Sequence, residues 1–287
     1  MPDFDELVLQ FLAQRWLVRV SRKGLIYILL FAVIAVSLGA TPARAKNTET
    51  GFLDRTINVA GTEYKYQVFV PENWAKNKGW PVILFLHGAG ERGDDGLIQT
   101  EVGIGTAIRR YRERFPAIVV MPQCRKNAWW SESTMADMAM AALAAAQKEF
   151  HGDPARTYLT GLSMGGYGTW YLAGKYPGKF AAIAPICGGV LMPDLARAQS
   201  PDDSAPYTEA AKRIRSKTPV WIFHGGDDPV VPVSESRRMN DAMKALGGEV
   251  HYTEYPGVGH NSWEKTYAEP DLLTWMLSKT ISANSSK

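Results

Sequence analysis

The chain has 287 residues, 46% of them apolar and 21% charged, the balance of a globular protein rather than a disordered or fibrous one. The first 45 residues carry five of the 32 Lys and Arg and three of the 29 Asp and Glu. The remainder therefore has a net charge of +1 and no electrostatic case for nucleic acid or anionic lipid as a partner.

The chain opens on a leader. Arg15, Arg19, Arg22 and Lys23 precede the uncharged run GLIYILLFAVIAVSLGA (24–40), and TPARA then sets Ala43 and Ala45 at the small-x-small spacing of a signal-peptidase site. Residues 1–45 are expected to be an export signal, cleaved after about Ala45, which sends the rest to the periplasm or outside the cell. The run is also close to bilayer length, so an uncleaved membrane anchor is the other reading. Residues 46–287 fit one α/β domain.

Beyond the leader, RTINVAGTEYKYQVFVP alternates apolar and polar residues around Ala60-Gly61 and predicts an antiparallel hairpin. Short continuous apolar runs follow at 81–88, 117–123, 157–161, 181–189, 219–226 and 250–257, the pattern of strands covered on both faces. Helical segments lie between or after them at 135–150, 166–176, 233–248 and 270–282. The alternation implies a mostly parallel sheet with helices on both sides, whose reactive groups gather beyond the carboxyl ends of the strands. The polar stretch 192–217, rich in Pro, Asp and Ser, reads as an insertion or partial lid. Cys124 and Cys187 each follow a strand-like run; a bridge between them and two buried free thiols are both open, and no metal site is suggested.

The chemistry centres on TYLTGLSMGGYGTW (157–170), where Ser163 stands between Gly161 and Gly165 with a strand before it and a helix after it. A nucleophile in so tight a turn leaves no room for side chains two positions to either side. The same turn places the Met164 amide at a helix start, where it can meet a developing negative charge. A serine hydroxyl needs a base, and the base needs an acid to orient it. In the order Ser, acid, His, the base is His260 in PGVGHNSW, after the last strand. For the acid, HGGDDPVVP offers Asp227 and Asp228; Asp228, directly before Pro229, is preferred, and His224 is assigned to packing or hydrogen bonding. The second oxyanion donor should come from FLHGAGERGDDG: Ala89, or else Gly88, with His87 architectural. Glu91 and Arg92 could pair to orient that loop or stand as solvated charges. Trp129, Trp130 and Trp263 are candidate walls of the substrate cleft.

Taken together, HGAGERGDD, TGLSMGGYGTW, FAAIAPICGG, HGGDDPVVP and GHNSW resemble the exported carboxylesterases of the α/β-hydrolase superfamily. Within it they are similar to proteins near the polyhydroxybutyrate depolymerases, the feruloyl and acetyl xylan esterases and the prolyl oligopeptidase-like "predicted peptidase" proteins. The resemblance covers roughly 55 to 280. It implies an α/β-hydrolase fold, a serine hydrolase of carboxylic esters with Ser163, Asp228 and His260 as its triad, a small or polymer-linked ester as substrate, and no cofactor. A serine peptidase or an acyltransferase would share the acyl-enzyme, and a non-catalytic binding module would share the scaffold.

Overall fold

The computed structural model describes residues 49–281 apart from 199, 201–202 and 215–217, so the expected signal segment, 1–45, lies outside the described residues. Eight strands form one sheet: β1 (Gly51–Val59), β2 (Thr62–Val70), β3 (Trp80–Leu86), β4 (Ile118–Pro122), β5 (Gly152–Leu162), β6 (Ala182–Ile186), β7 (Val220–Gly225) and β8 (Val250–Tyr255). Their spatial order is β1-β2-β4-β3-β5-β6-β7-β8. The leading hairpin joins β4 antiparallel, and every pair from β4 to β8 is parallel.

The helices are α1 (Ile104–Arg110), α2 (Ser133–Glu149), α3 (Met164–Lys175), α4 (Pro193–Ala198), α5 (Ala205–Ile214), α6 (Ser234–Ala245), α7 (Trp263–Ala268) and α8 (Pro270–Leu277). Two cores lie on opposite faces of the sheet, and β3 feeds both because successive strand residues point to opposite sides. Val82, Leu84 and Leu86 enter the core shared with α2, α3, α5 and α6; Ile83 and Phe85 enter the one shared with α1, α7 and α8. That double burial explains the unbroken apolar runs of the central strands.

Helix α5 corrects the expectation of a polar insertion. Tyr207, Ala211 and Ile214 recur at helical spacing and are buried in the core, while charged residues cover the other face. Among the described residues no helix is long and apolar enough to cross a membrane. Cys124 and Cys187 are both free thiols and both buried.

The chain runs from β3 to β4 on one side and then returns past β3 to β5 on the other. The crevice beyond β3 and β5 is thus the switch point where open α/β sheets take their ligands. Leu86 pairs with Gly161 at its base.

Candidate active site

Strand β5 ends at Leu162 and α3 starts at Met164, so Ser163 alone makes the turn. Its backbone takes φ 53° and ψ −118°, a left-handed value that costs a residue with a Cβ and persists only where its surroundings enforce it. Those surroundings are the glycines. A Cβ on Gly161 would overlap the Gly165 carbonyl, and one on Gly165 would overlap the Leu86 carbonyl of β3. The strand-to-helix bend is therefore as tight as main chain against main chain allows.

Three side chains from three loops meet above this turn. His260, beyond β8, approaches Ser163 Oγ with Nε2 at 2.9 Å, and its Nδ1 lies 2.7 Å from Asp228 Oδ2, beyond β7. Asp228 Oδ1 accepts the amides of Val230 at 2.8 Å and Val231 at 3.0 Å, which is the stiff turn that the neighbouring proline suggested. His224 Nε2 lies 3.2 Å from Asp228 Oδ2 and 3.1 Å from the Val231 carbonyl. Both neighbours are acceptors, so this nitrogen carries a proton, and Nδ1 accepts from Ser236 Oγ at 2.7 Å. The Asp228 carboxylate is fully enclosed. Burial would push it up, but hydrogen bonds from His224, His260 and the Val231 amide prevail and hold it well below the usual carboxylate range. An ionised Asp228 fixes the proton of His260 on Nδ1 and leaves Nε2 free to accept from Ser163. Asp227 is exposed, with its amide bonded to the Val258 carbonyl.

Met164 is the first residue of α3, and its N–H has no carbonyl one turn earlier in the helix to bond. Across the crevice, Ala89 opens a 3-10 turn, Ala89–Glu91, and its N–H is unclaimed within that turn for the same reason. Gly88 is differently placed: a Cβ there would press on the Leu162 side chain and on Glu91 Oε2. Burial pushes the Glu91 carboxyl up, and the nearby Gly88 and Glu91 amides pull it back in part. Arg92 does not face Glu91: Nε donates to the Ala89 carbonyl at 3.0 Å and Nη1 to the Ala128 carbonyl at 3.3 Å, tying the two loops together. The expectation of an ion pair between Glu91 and Arg92 is therefore corrected. Arg92 spends its donors on backbone carbonyls, and Glu91 Oε2 is buried without a hydrogen-bond partner.

His87 is fully buried. Its Nδ1–H donates to the Gly88 carbonyl at 2.6 Å, its Nε2 accepts the Cys124 amide at 2.9 Å, and burial lowers it to about 4. It is a neutral brace for the loop. The three tryptophans separate. Trp129 is half-buried, crosses Tyr167 edge to face and lines a cavity of about 530 Å³. Trp263 stands edge to face against the His260 ring with centroids 5.5 Å apart. Trp130 is corrected as a cleft wall: it is fully buried, donates Nε1–H to the His87 carbonyl at 3.0 Å and packs against α3 at Gly168. Cys187, at φ 39°, places its thiol within 4.8 Å of the facing Asp228 and His260 atoms. Burial pushes that thiol up to about 12, and the other two groups are engaged with each other, so the trio is packing around a hydrogen-bonded pair rather than an open ligand set.

A family model described as putative esterase matches residues 57–270. The acyl-protein thioesterase 1 of Gibberella zeae is 29% identical over 109 residues, 38% of this chain and 43% of that protein. A probable feruloyl esterase C of Aspergillus flavus is 24% identical over 248 residues, 83% of each chain. The crystal structure of a thermostable esterase superposes with a TM-score of 0.68 at 34% identity, over 80% of this chain and 63% of that one. This chain thus spans less than half of the thioesterase and under two thirds of the thermostable esterase.

Proposed function

From the chain's membership of the putative esterase family, whose model takes in residues 57–270, we propose that it is an exported serine hydrolase that cleaves carboxylic esters through an acyl-enzyme. The observation that carries this reading is the continuous path from Asp228 Oδ2 through the His260 ring to Ser163 Oγ, with steps of 2.7 and 2.9 Å. Ser163 Oγ attacks the acyl carbon while its proton passes to His260 Nε2, and the carbonyl oxygen becomes an oxyanion facing the Met164 and Ala89 amides. As the tetrahedral species collapses, the bond to the alcohol oxygen breaks and His260 gives that oxygen the proton. Water then repeats the sequence: His260 removes a proton, the hydroxyl adds to the acyl carbon, and Ser163 leaves with the proton restored. Asp228 balances the imidazolium at both stages without accepting its proton. Export rests on the basic and apolar leader ending at TPARA.

The test is paired. Protein lacking residues 1–45 should hydrolyse p-nitrophenyl acetate and become covalently labelled by a fluorophosphonate probe, and Ser163→Ala should abolish both while keeping the wild-type fold by circular dichroism. Labelling that survives in Ser163→Ala would place the nucleophile elsewhere.

A further inference from the structure

One carboxylate close to the crevice has no part in that chemistry. Glu235, in the first turn of α6, is fully buried. Its Oε2 accepts the amides of Val190 at 2.7 Å and Leu191 at 3.0 Å, and its Oε1 accepts the Tyr207 hydroxyl of α5. Arg238 donates to that hydroxyl at 3.2 Å. The loop beyond β6 passes so near that a Cβ on Gly189 would overlap Glu235 Oε2. Removing a carboxyl from water is costly unless its oxygens are hydrogen-bonded, and here three donors from two segments converge on it. The result is a clasp joining α6, α5 and the Gly189–Leu191 loop.

The clasped loop is one wall of the 530 Å³ cavity, through Gly189 and Val190. One face of α3 lines it with Tyr167, Trp170 and Tyr171, at the spacing of helical neighbours, and Trp129 also borders it. Tyr167 stands one turn after Ser163, and the lining continues to Gly174, about 10 Å further at the helical rise. Ser163 is not part of the lining. The cavity is a trough with aromatic walls that starts one helical turn beyond the nucleophile and runs along α3. Its size, and walls that are mainly apolar but include Lys175 and Arg213, are those of a small-molecule site.

We propose that Glu235 is a positioning residue for substrate selection: it holds the Gly189–Leu191 wall of the trough along α3, and the trough receives the bulky apolar or aromatic end of the ester. This rests on the esterase reading of Ser163, Asp228 and His260. Kinetics would be measured on ethyl acetate, small on both sides of the bond, on methyl cinnamate, bulky on the acyl side, and on benzyl acetate, bulky on the alcohol side. In Glu235→Leu and in Gly189→Ala, KM for the bulky ester that the wild type prefers should rise on the order of tenfold, a factor typical of losing one pocket contact. The kcat/KM for ethyl acetate should stay within about threefold of wild type, because the reacting groups are untouched. Glu235→Gln should restore the bulky-ester KM, since its Oε1 can accept both loop amides while its NH₂ donates to the Tyr207 hydroxyl. If Glu235→Leu does not fold, Gly189→Ala disturbs the same clasp from the loop side and gives the same reading. Equal losses on all three esters, or an unchanged KM for both bulky ones, would overturn the proposal. A wild type without turnover of any ester would instead remove the hydrolase reading on which it stands.

Discussion

Asp228 gathers its donors in two sets, the histidines His260 and His224 on Oδ2 and the amides of Val230 and Val231 on Oδ1. An amide side chain cannot reproduce this, because it offers one acceptor and turns two hydrogens toward donors on the other side. In Asp228→Asn, either the ring N–H groups or the main-chain N–H groups meet an NH₂, and His260 loses the partner that fixes its proton on Nδ1. Turnover of p-nitrophenyl acetate should fall by on the order of 10⁴, the scale set by the wrong imidazole tautomer in a Ser-His-Asp site. KM should change far less, because the Asp228 carboxylate is fully enclosed behind His260. Steady-state kinetics with active-site titration check this; a loss below tenfold would mean that His260 is held by something other than Asp228. His224 is the residue that the sequence undersold. In HGGDDPVVP it reads as a strand-end histidine, and only the fold brings its Nε2 to the same oxygen that His260 uses.

The loop after β3 carries Ala89, the second of the two proposed oxyanion donors. Arg92 spans from the Ala89 carbonyl to the Ala128 carbonyl, so it fixes the peptide plane that follows Ala89 and, with it, the aim of the Ala89 turn. A lysine is a single charge on a flexible stem and does not bridge two carbonyls in this way. Arg92→Lys should lower kcat about tenfold to a hundredfold, short of the 10² to 10³ for full loss of a donor, with KM within about threefold. An unchanged kcat would show that Gln123, which reaches the Glu91 carbonyl at 3.2 Å, is sufficient to hold the loop. Elements such as β3 and β6 were legible because double burial writes an unbroken apolar run into the sequence. The turn at Ser163 was legible because main-chain crowding demands glycine at 161 and 165. Helix α5 was hidden by its setting: its apolar residues lie among Pro, Asp and Ser, and a period of only three buried positions is a weak signal. Trp129 and Trp130 are adjacent and alike, and only the local turn sends one to the cavity and the other to the core. Glu235 looks like an ordinary first-turn acid on an amphipathic helix, because the amides that it accepts lie about 45 residues away.

For the molecule as a whole, the two cores meet at β3, and the first residue past that strand is a buried histidine packed edge to face against Trp130. His87 is fully buried, its pocket offers one acceptor and one donor, and no carboxylate touches either ring nitrogen. A charged ring would turn a proton toward the Cys124 amide, which is itself a donor. Burial accordingly lowers His87 to about 4, against 6.5 for the free side chain. Between those values the unfolded chain binds a proton that the folded chain refuses, so stability must fall as the pH falls. The contribution is fully present above about pH 6.5 and is lost as the pH drops toward 4, amounting to about 3 kcal/mol over the window. Asp228 acts separately: its depressed carboxyl adds stability that disappears only below the ordinary carboxylate range. Urea unfolding at pH 7.5 and pH 4.5 should therefore show a marked drop in midpoint. His87→Gln, which cannot titrate, should start from a lower midpoint at pH 7.5 and lose much less between the two conditions. If the variant loses as much as the wild type, the acid sensitivity belongs to other groups and the central histidine is not the proton-sensitive point of the fold.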